Sequence, residues 1–518
     1  MIDYDLVIKN GKIIDGTGSP SYFADVAVKD GKIVKIAKNI KGGAEIIDAA
    51  GLCVTPGFID SHSHSDGNLL KYPEQREKVE QGITTCIAGQ CGSSYAPLSV
   101  DANPADFDFL DGKEYEIRRD MANLLDYTRD VPQGCNVAIL VGHGNLRKSV
   151  MGLANRAPTA DEMELMKSRL RKAMEHGAGG MSFGLYYAPG SYASTEEAVE
   201  LSKIVAEYGG VIAAHIRDEE DELIKAVAEF IEIAERSGAR AVISHHKASG
   251  RPENWGKVTH TLRMIDEANG RGCDIYCDVY PYTASSTPLS SKFFPKEEHA
   301  KGTDKIVELL DTKEYRDMLK KYIISRYGEG LSWVKTTANN PYPDCVGMTV
   351  PEIAKKRGTD EYDALFDIIR DSRKDAYACY FTMCEEDVET VLAHPRAMIA
   401  TDSGNAAAAT AYHPRLRGTF PRVLGRYVRE RKVTSLPEMI RKMTAMPARV
   451  YGLKNKGLIW ENMDADICIF DEKTIKDKAD YDNIKLRAEG LCYVIVNGKI
   501  TVKNAVSNGE RNGKVVIF

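Results

Sequence analysis

No uninterrupted apolar run approaches the roughly 18–20 residues that cross a bilayer, which excludes a helical membrane protein. Strong charge of either sign is also missing. The 69 basic and 75 acidic residues leave a net charge of -6, too small to mark a nucleic-acid or acidic-membrane partner. The opening MIDYDLVIKNGKI has neither the basic flank nor the apolar core of a secretory signal, and no lipidation motif closes the sequence. The eleven cysteines are odd in number, scattered and without zinc-ribbon spacing. Structural disulfides are therefore not expected, and the reducing cytoplasm is the expected compartment. What is present reads as a soluble globular protein, 43% hydrophobic and 28% charged. Its 518 residues exceed the usual single-domain size, which predicts one large core and a smaller second module.

The first 50 or so residues alternate apolar and polar positions between turn signals, as in DLVIKNGKIID and ADVAVKDGKIVKIA, predicting short antiparallel strands. The same texture returns near the end in DADICIFD, CYVIVNGKITVKNAV and GKVVIF. Residues 1–54 and 455–518 are thus expected to pair into one small β-sandwich, with the main domain, 55–454, inserted between them.

Within that main domain a short apolar run followed by a charged helical stretch recurs about eight times: GFIDSHSH, ITTCIAGQC, NVAILVGHG, GGMSFGL, GVIAAHIR, RAVISHHK, DIYCDVYPY and RAMIATDSG. Alternating strand and helix predict a parallel sheet, and eight repeats predict its closure into an α/β fold of the (β/α)8 TIM-barrel type. Helices are expected over residues 195–208, 219–237, 305–326 and 362–372. The stretch from Ser285 to Arg396 is too long for one crossover, so about 286–345 is read as an inserted segment or lid over the barrel mouth.

Barrels of this type work at the C-terminal ends of their strands, and the metal-competent side chains collect there. His62 and His64 end the first run, Cys91 the second, His143 the third, His215 the fifth, His245 with Lys247 the sixth, Tyr280 and Tyr282 the seventh, and Asp402 the eighth. Burying so many polar groups at one rim without an ion would be costly. Taken singly, each has a bland alternative: Cys91 as a small packed thiol, Asp402 as a turn or cap residue, His143 as an orienting group. Strand parity puts 245 and 247 on one face and His246 on the other, as a structural residue. His176, His260, His299 and His394 lie away from strand ends and are not read as ligands.

The segments HSHSD, QGITTCIAGQCG, FGLYYAPG, AAHIRDE, ISHHK, YPYTASST, ATDSG and HPRLRGTFPRVLGRY together resemble the D-aminoacylase (N-acyl-D-amino-acid deacylase) group of the amidohydrolase superfamily. The resemblance extends to MTAMPARVYGL and KGLIWENMDADICIFD and covers nearly the whole chain. It implies that Cys91, His215 and His245 hold a tight zinc ion, that His62, His64 and Asp402 surround a second, weaker site, and that Cys91 stands where other relatives use a carboxylated lysine. It also implies D-selectivity.

The expected chemistry is zinc-assisted hydrolysis of a linear amide, with Asp402 moving the proton from water to the leaving amine. The substrate is a small N-acylated D-amino acid, whose carboxylate would be clamped by Lys247, Tyr282 (preferred over Tyr280) and Arg415. Arg417 is read as a brace and Lys292 as a solvated lysine. The alanine-rich NAAAATA loop after Asp402 offers few polar contacts, so substrate preference is expected to depart from that of relatives. The alternatives are a cyclic-amide (hydantoinase- or dihydroorotase-like) or dipeptide hydrolase on the same barrel, or a non-catalytic scaffold that has lost its metal.

Overall fold

Two tight hairpins show how local sequence sets the small sheet. Asp30-Gly31 and Asn497-Gly498 each place two successive residues at positive φ (49° and 74°, 46° and 82°). This is the turn whose twist matches that of the paired strands, and it joins Lys29 to Lys32 and Val496 to Lys499 across the ladders. The computed structural model describes residues 4–107, 109, 110, 112–404 and 412–518. Strands Leu6–Ile13, Tyr22–Lys29, Lys32–Ala37, Glu45–Asp48 and Cys53–Pro56 share one nine-stranded sheet with Ile467–Phe470, Leu491–Val496, Lys499–Lys503 and Val506–Ser507. The two ends of the chain meet where Cys53–Pro56 runs antiparallel to Ile467–Phe470.

The central region is mixed α/β. Its strands, numbered here 1 to 8, are Phe58–Asp60, Ile83–Ala88, Asn136–Ile139 continued by Val141–Gly142, Gly180–Gly184, Val211–His215, Arg240–Ile243, Ile275–Val279 and Ala397–Ile399. Each pairs in parallel with the next. Strand 8 returns to strand 1 through backbone bonds from Ser61 N to Ile399 O (3.3 Å), Asp402 N to His62 O (2.9 Å) and His64 N to Ser403 O (3.1 Å). Alternation sorts the side chains: Ile59, Ile87, Ala138, Leu140, Val211, Ala213, Val242, Tyr276 and Met398 form one buried cluster. Intervening residues such as Cys86, Val137, Ile212, Ala241 and Ile399 pack with the surrounding helices in a larger one.

The junction of strands 1 and 8 is pinned by Lys78. Its buried amine donates to Asp60 Oδ2 (2.8 Å), Thr401 Oγ1 (2.6 Å), Ser403 O (2.8 Å) and Ser403 Oγ (3.1 Å). Thr401 also donates to Asp60, through both its hydroxyl and its amide.

The helix expected from residue 219 begins instead at Leu223 and runs to Ser237, burying Leu223, Ala226, Val227, Phe230, Ile231 and Ala234 on one stripe. The delay has a local cause: the Asp218 carboxylate accepts the amides of Glu220 (2.7 Å) and Glu222 (3.2 Å) and holds a turn. Glu219 and Glu220 are thereby left to face inward. The helix expected over 305–326 is two helices, Thr303–Leu309 and Lys313–Tyr327, broken where Thr312 is extended.

Between strands 7 and 8 the segments Ser285–Pro288, Val334–Thr336 and Tyr377–Tyr380 form a three-stranded antiparallel sheet. A separate apolar cluster running from Leu289 to Tyr380 surrounds it. This unit continues well past residue 345, the limit read from sequence, because the helix Glu361–Asp371 packs into it rather than against the central strands. Among the described residues, no helix is long and apolar enough to cross a membrane.

Candidate metal centre and cavity

At the exits of the central strands the chain enters conformations that L-residues rarely adopt. Cys91 (φ 54°), His245 (φ 35°) and Asp402 (φ 47°) all lie in the left-handed region, each at a cost of about 1–3 kcal/mol. Neighbouring bonds hold them there. Gly92 N donates to Ser182 Oγ (3.0 Å), His245 N to Asp278 Oδ1 (2.5 Å) and Asp402 N to His62 O (2.9 Å). The outcome is convergence: Cys91 Sγ is 3.3 Å from His62 Nε2, 3.3 Å from His245 Nε2 and 3.7 Å from His215 Nδ1. Asp402 Oδ1 is 3.2 Å from His64 Nε2 and 3.5 Å from His62 Nε2.

Donor atoms of His62, Cys91, His245 and Asp402 lie within 4.8 Å of one another, as do those of His215, Glu219 and His245. The sequence suggested two sets, one around Cys91 and one around Asp402. The structure brings all six residues to one place, with the thiol between His62 and the pair His215 and His245.

The electrostatics fit a cation. Burial opposes ionisation of the Cys91 thiol, yet the imidazoles of His62 and His245 pull its pKa well below the usual thiol range. Burial likewise opposes charge on His62 and His64, but Cys91 and Asp278 raise the first well above its usual range, and Asp402 and Cys91 raise the second to about 9. Asp402 is held well below the carboxylate range against burial, chiefly by Arg415 and His245. A thiolate and carboxylates that draw protons onto imidazoles are a donor set whose charge a divalent ion balances in exchange for those protons. Sulfur, imidazole and carboxylate together suit zinc.

The backbone around Cys91 tolerates no side chain. Gly92 has a φ of 70°, and a Cβ there would lie 2.4 Å from Gly184 N. Gly92→Ala is expected to displace the thiol and lower bound metal per chain about 10–100-fold in affinity, as loss of a supporting contact does. Metal titration with a competing chelator reads this, and an unchanged affinity would show that the turn does not position the sulfur.

A cavity of about 590 Å³ opens over these donors, lined by Cys91, His64, His215, His245, Asp402, Glu219, Lys247, Tyr280 and Arg415, with Ser285–Pro288, Lys292 and Tyr377 from the inserted unit. Lys247 is buried and donates to Glu219 Oε1 (2.6 Å) and His245 Nδ1 (2.9 Å). Arg415 donates to Asp402 Oδ2 (2.6 Å) and Ser286 O (3.3 Å), while its Nε has no partner among the described residues.

Tyr282 is not at the cavity, and the sequence preference for it over Tyr280 is corrected. A tight turn, Tyr282 N to Tyr280 O (3.0 Å), breaks the strand parity beyond Val279. The ring of Tyr282 is buried against His413 and Arg422, whereas Tyr280 lines the wall. Lys292, read as solvated, is instead buried and paired with Glu220.

His143 bonds Glu197 (3.0 Å), and His246 bonds Thr261 (2.8 Å) away from the donors; the strand ends at Ile243, and the positive φ of His245 rather than alternation from Val242 sets the two rings apart. Arg417 braces Glu80 (2.6 Å) and Glu77 (3.1 Å). The alanine-rich loop, 405–411, lies outside the described residues.

Three groups escaped the sequence reading. Asp278 Oδ2 lies 3.6 Å from His62 Nδ1, beyond hydrogen-bonding distance, and its charge helps raise the His62 pKa. Its signal was an acid at an inward position of an otherwise apolar strand. Glu219 and Glu220 were hidden in the acidic run DEEDE, which gave no reason to choose between its members.

Parallel strands delivering sulfur, imidazole and carboxylate donors to a common cavity mark an α/β protein built around a cation site. The chain belongs to the amidohydrolase family, whose sequence profile matches residues 45–315 and 351–502. It is 35% identical to a D-aminoacylase of Alcaligenes xylosoxydans xylosoxydans over 99% of this chain and 97% of that protein. It is 36% identical to an N-acyl-D-glutamate deacylase of the same organism, over 95% and 93% of the two chains. Among solved structures it resembles N-acyl-D-glutamate deacylase from Bordetella bronchiseptica, complexed with zinc and a phosphonate mimic of the tetrahedral intermediate. That match has a TM-score of 0.83 and 34% identity, and covers 100% of both chains.

Proposed function

We propose that this protein hydrolyses the linear amide of N-acyl-D-amino acids in a zinc-dependent reaction, releasing a carboxylate and a free D-amino acid. The observation that carries the reading is the meeting of Cys91 with His62, His215 and His245 beside Asp402 at the floor of one cavity. The architecture that serves it is a closed (β/α)8 barrel over residues 55–454, with a β-sandwich from 1–54 and 455–518 and a cap that we widen to about 285–380.

Cys91, His215, His245, His62, His64 and Asp402 would hold the metal, with Glu219 as a further donor. Zinc, when bound, supplies Lewis acidity and lowers the pKa of water toward neutrality. Asp402, kept ionised by Arg415, accepts the proton that the attacking water loses. It returns that proton to the amine nitrogen as the carbon–nitrogen bond breaks. Arg415 lines the cavity beside Ser286, where its guanidinium would meet the substrate's carboxylate. Lys247 acts as a positioning residue, tying Glu219 to the His245 ring. Tyr280 takes the wall position first given to Tyr282.

A panel of N-acetyl amino acids of both hands, scored for amine release with and without zinc, tests this reading. Release confined to D-substrates and lost on chelation is the expected result. Turnover of cyclic amides or dipeptides alone would replace the substrate assignment.

A further inference from the structure

Among the described residues, four lysine and arginine side chains line the cavity: Lys148, Lys247, Lys292 and Arg415. Three are neutralised within the wall, Lys247 by Glu219 (2.6 Å), Arg415 by Asp402 (2.6 Å) and Lys292 by Glu220. Lys148 is the exception: among the described residues its amine has no hydrogen bond or ion pair. The acid that bears on it, Asp101, is exposed and engaged with the Ser99 hydroxyl. Burial lowers the Lys148 pKa, and the charge on Asp101 offsets that only in part.

Its position is defined by the helix His143–Met151, which follows strand 3. Gly144 on this helix lies against the Cys91–Gly92 turn so closely that a Cβ would be 2.7 Å from Gly92 O. Lys148, four residues later, shares that face and sits about 6 Å along the helix from it. Arg415 and Ser286 reach the donors from beyond strands 8 and 7. In a circuit of eight strands, strand 3 stands opposite strand 7, so Lys148 lies across the donors from Ser286, whose carbonyl accepts from Arg415.

Taking the proposed reaction as given, a substrate whose amino-acid carboxylate meets Arg415 and whose amide lies at the donors must direct its acyl group toward Lys148. We infer that Lys148 binds a second carboxylate at the far end of the acyl group, so that dicarboxylic acyl groups such as N-succinyl are preferred to N-acetyl. Lys247 and Lys292 are paired within the wall and Arg415 is taken by Asp402 and the amino-acid carboxylate, so a carboxylate at Lys148 would supply the partner its amine lacks.

The test compares N-succinyl-D-alanine, N-acetyl-D-alanine and N-acetyl-D-glutamate on the zinc-loaded wild type and on Lys148→Met, Lys148→Gln and Lys148→Arg. One charge-assisted contact predicts a wild-type succinyl-over-acetyl ratio in kcat/KM of about tenfold or more, carried mainly by KM. Met and Gln should abolish the ratio, and Arg should keep it. Calorimetric titration of succinate against butyrate reads the same contact apart from turnover: succinate should bind about tenfold tighter to wild type, and not to Lys148→Met.

Equal affinities in both proteins, or a succinyl-over-acetyl ratio that Met and Gln leave intact, would overturn the inference. If the Met variant instead loses a preference for N-acetyl-D-glutamate, the amine reads the amino-acid side chain and the acyl assignment is wrong. If none of the three amides is hydrolysed while succinate binding still depends on Lys148, the proposed reaction fails and the second carboxylate site stands.

Discussion

Cys91→Ala is expected to lower kcat/KM on N-acyl-D-amino acids by about 10³-fold or more, beyond the 10–100-fold that follows loss of a group merely supporting a metal ligand. The sulfur lies within 3.7 Å of three imidazole nitrogens and is the only thiol that lines the cavity among the described residues. Its removal takes away the softest donor and the negative charge around which His62 and His64 are arranged. Zinc per purified chain, measured by mass spectrometry, should fall with activity. Cys91→Ser separates charge from shape: a hydroxyl of similar size cannot ionise as readily, so it should recover little. Activity of the alanine variant within tenfold of wild type would remove Cys91 from the metal centre and with it the proposed arrangement.

The second large effect lies below the cavity. Lys78→Met is expected to destabilise the protein by about 3–5 kcal/mol, the range for leaving a buried charge without its partner. Here the abandoned group is Asp60, which is fully buried and whose other described contacts are to Thr401 and the His62 amide. The loss would appear as a lower thermal midpoint and, because Lys78 ties strand 1 to strand 8 at the level of His62 and Asp402, as weaker metal retention. Pairing it with Asp60→Asn should recover part of the stability, since the orphaned charge is then gone. A single variant that melts with wild type, or a double variant worse than the two losses added together, would show that the cluster is not what holds the strand junction.

Much of this site was legible in the sequence because its carriers sit at strand exits, where a two-residue period and a terminal turn fix direction. Cys91, His215 and Asp402 keep the inward parity of Ile87, Ala213 and Met398, whereas His62 and His245 lie off the parity of Ile59 and Val242 and reach the donors only because the chain turns after Asp60 and Ile243, with His245 at a φ of 35°. The same logic failed at Tyr282, where the chain leaves the strand at Tyr280 and parity no longer applies. It also underestimated ion pairs between elements distant in sequence. Lys292 looks like a surface lysine until the cap folds it onto Glu220, and Arg415 looks free to clamp substrate until Asp402 claims one of its arms. The cap itself was read too short, because an amphipathic helix such as Glu361–Asp371 carries no mark of which core it will join.

The antiparallel ladder between Cys53–Pro56 and Ile467–Phe470 imposes an order on biogenesis. Cys53–Pro56 must wait, unsatisfied on that flank, until the chain as far as Ile467–Phe470 has emerged. At ribosomal speeds of about 5–20 residues per second that interval lasts tens of seconds. Throughout it Val54 and its neighbours present an open apolar edge to the cell, so nascent chains of this protein should be clients of holding chaperones until Ile467–Phe470 is translated.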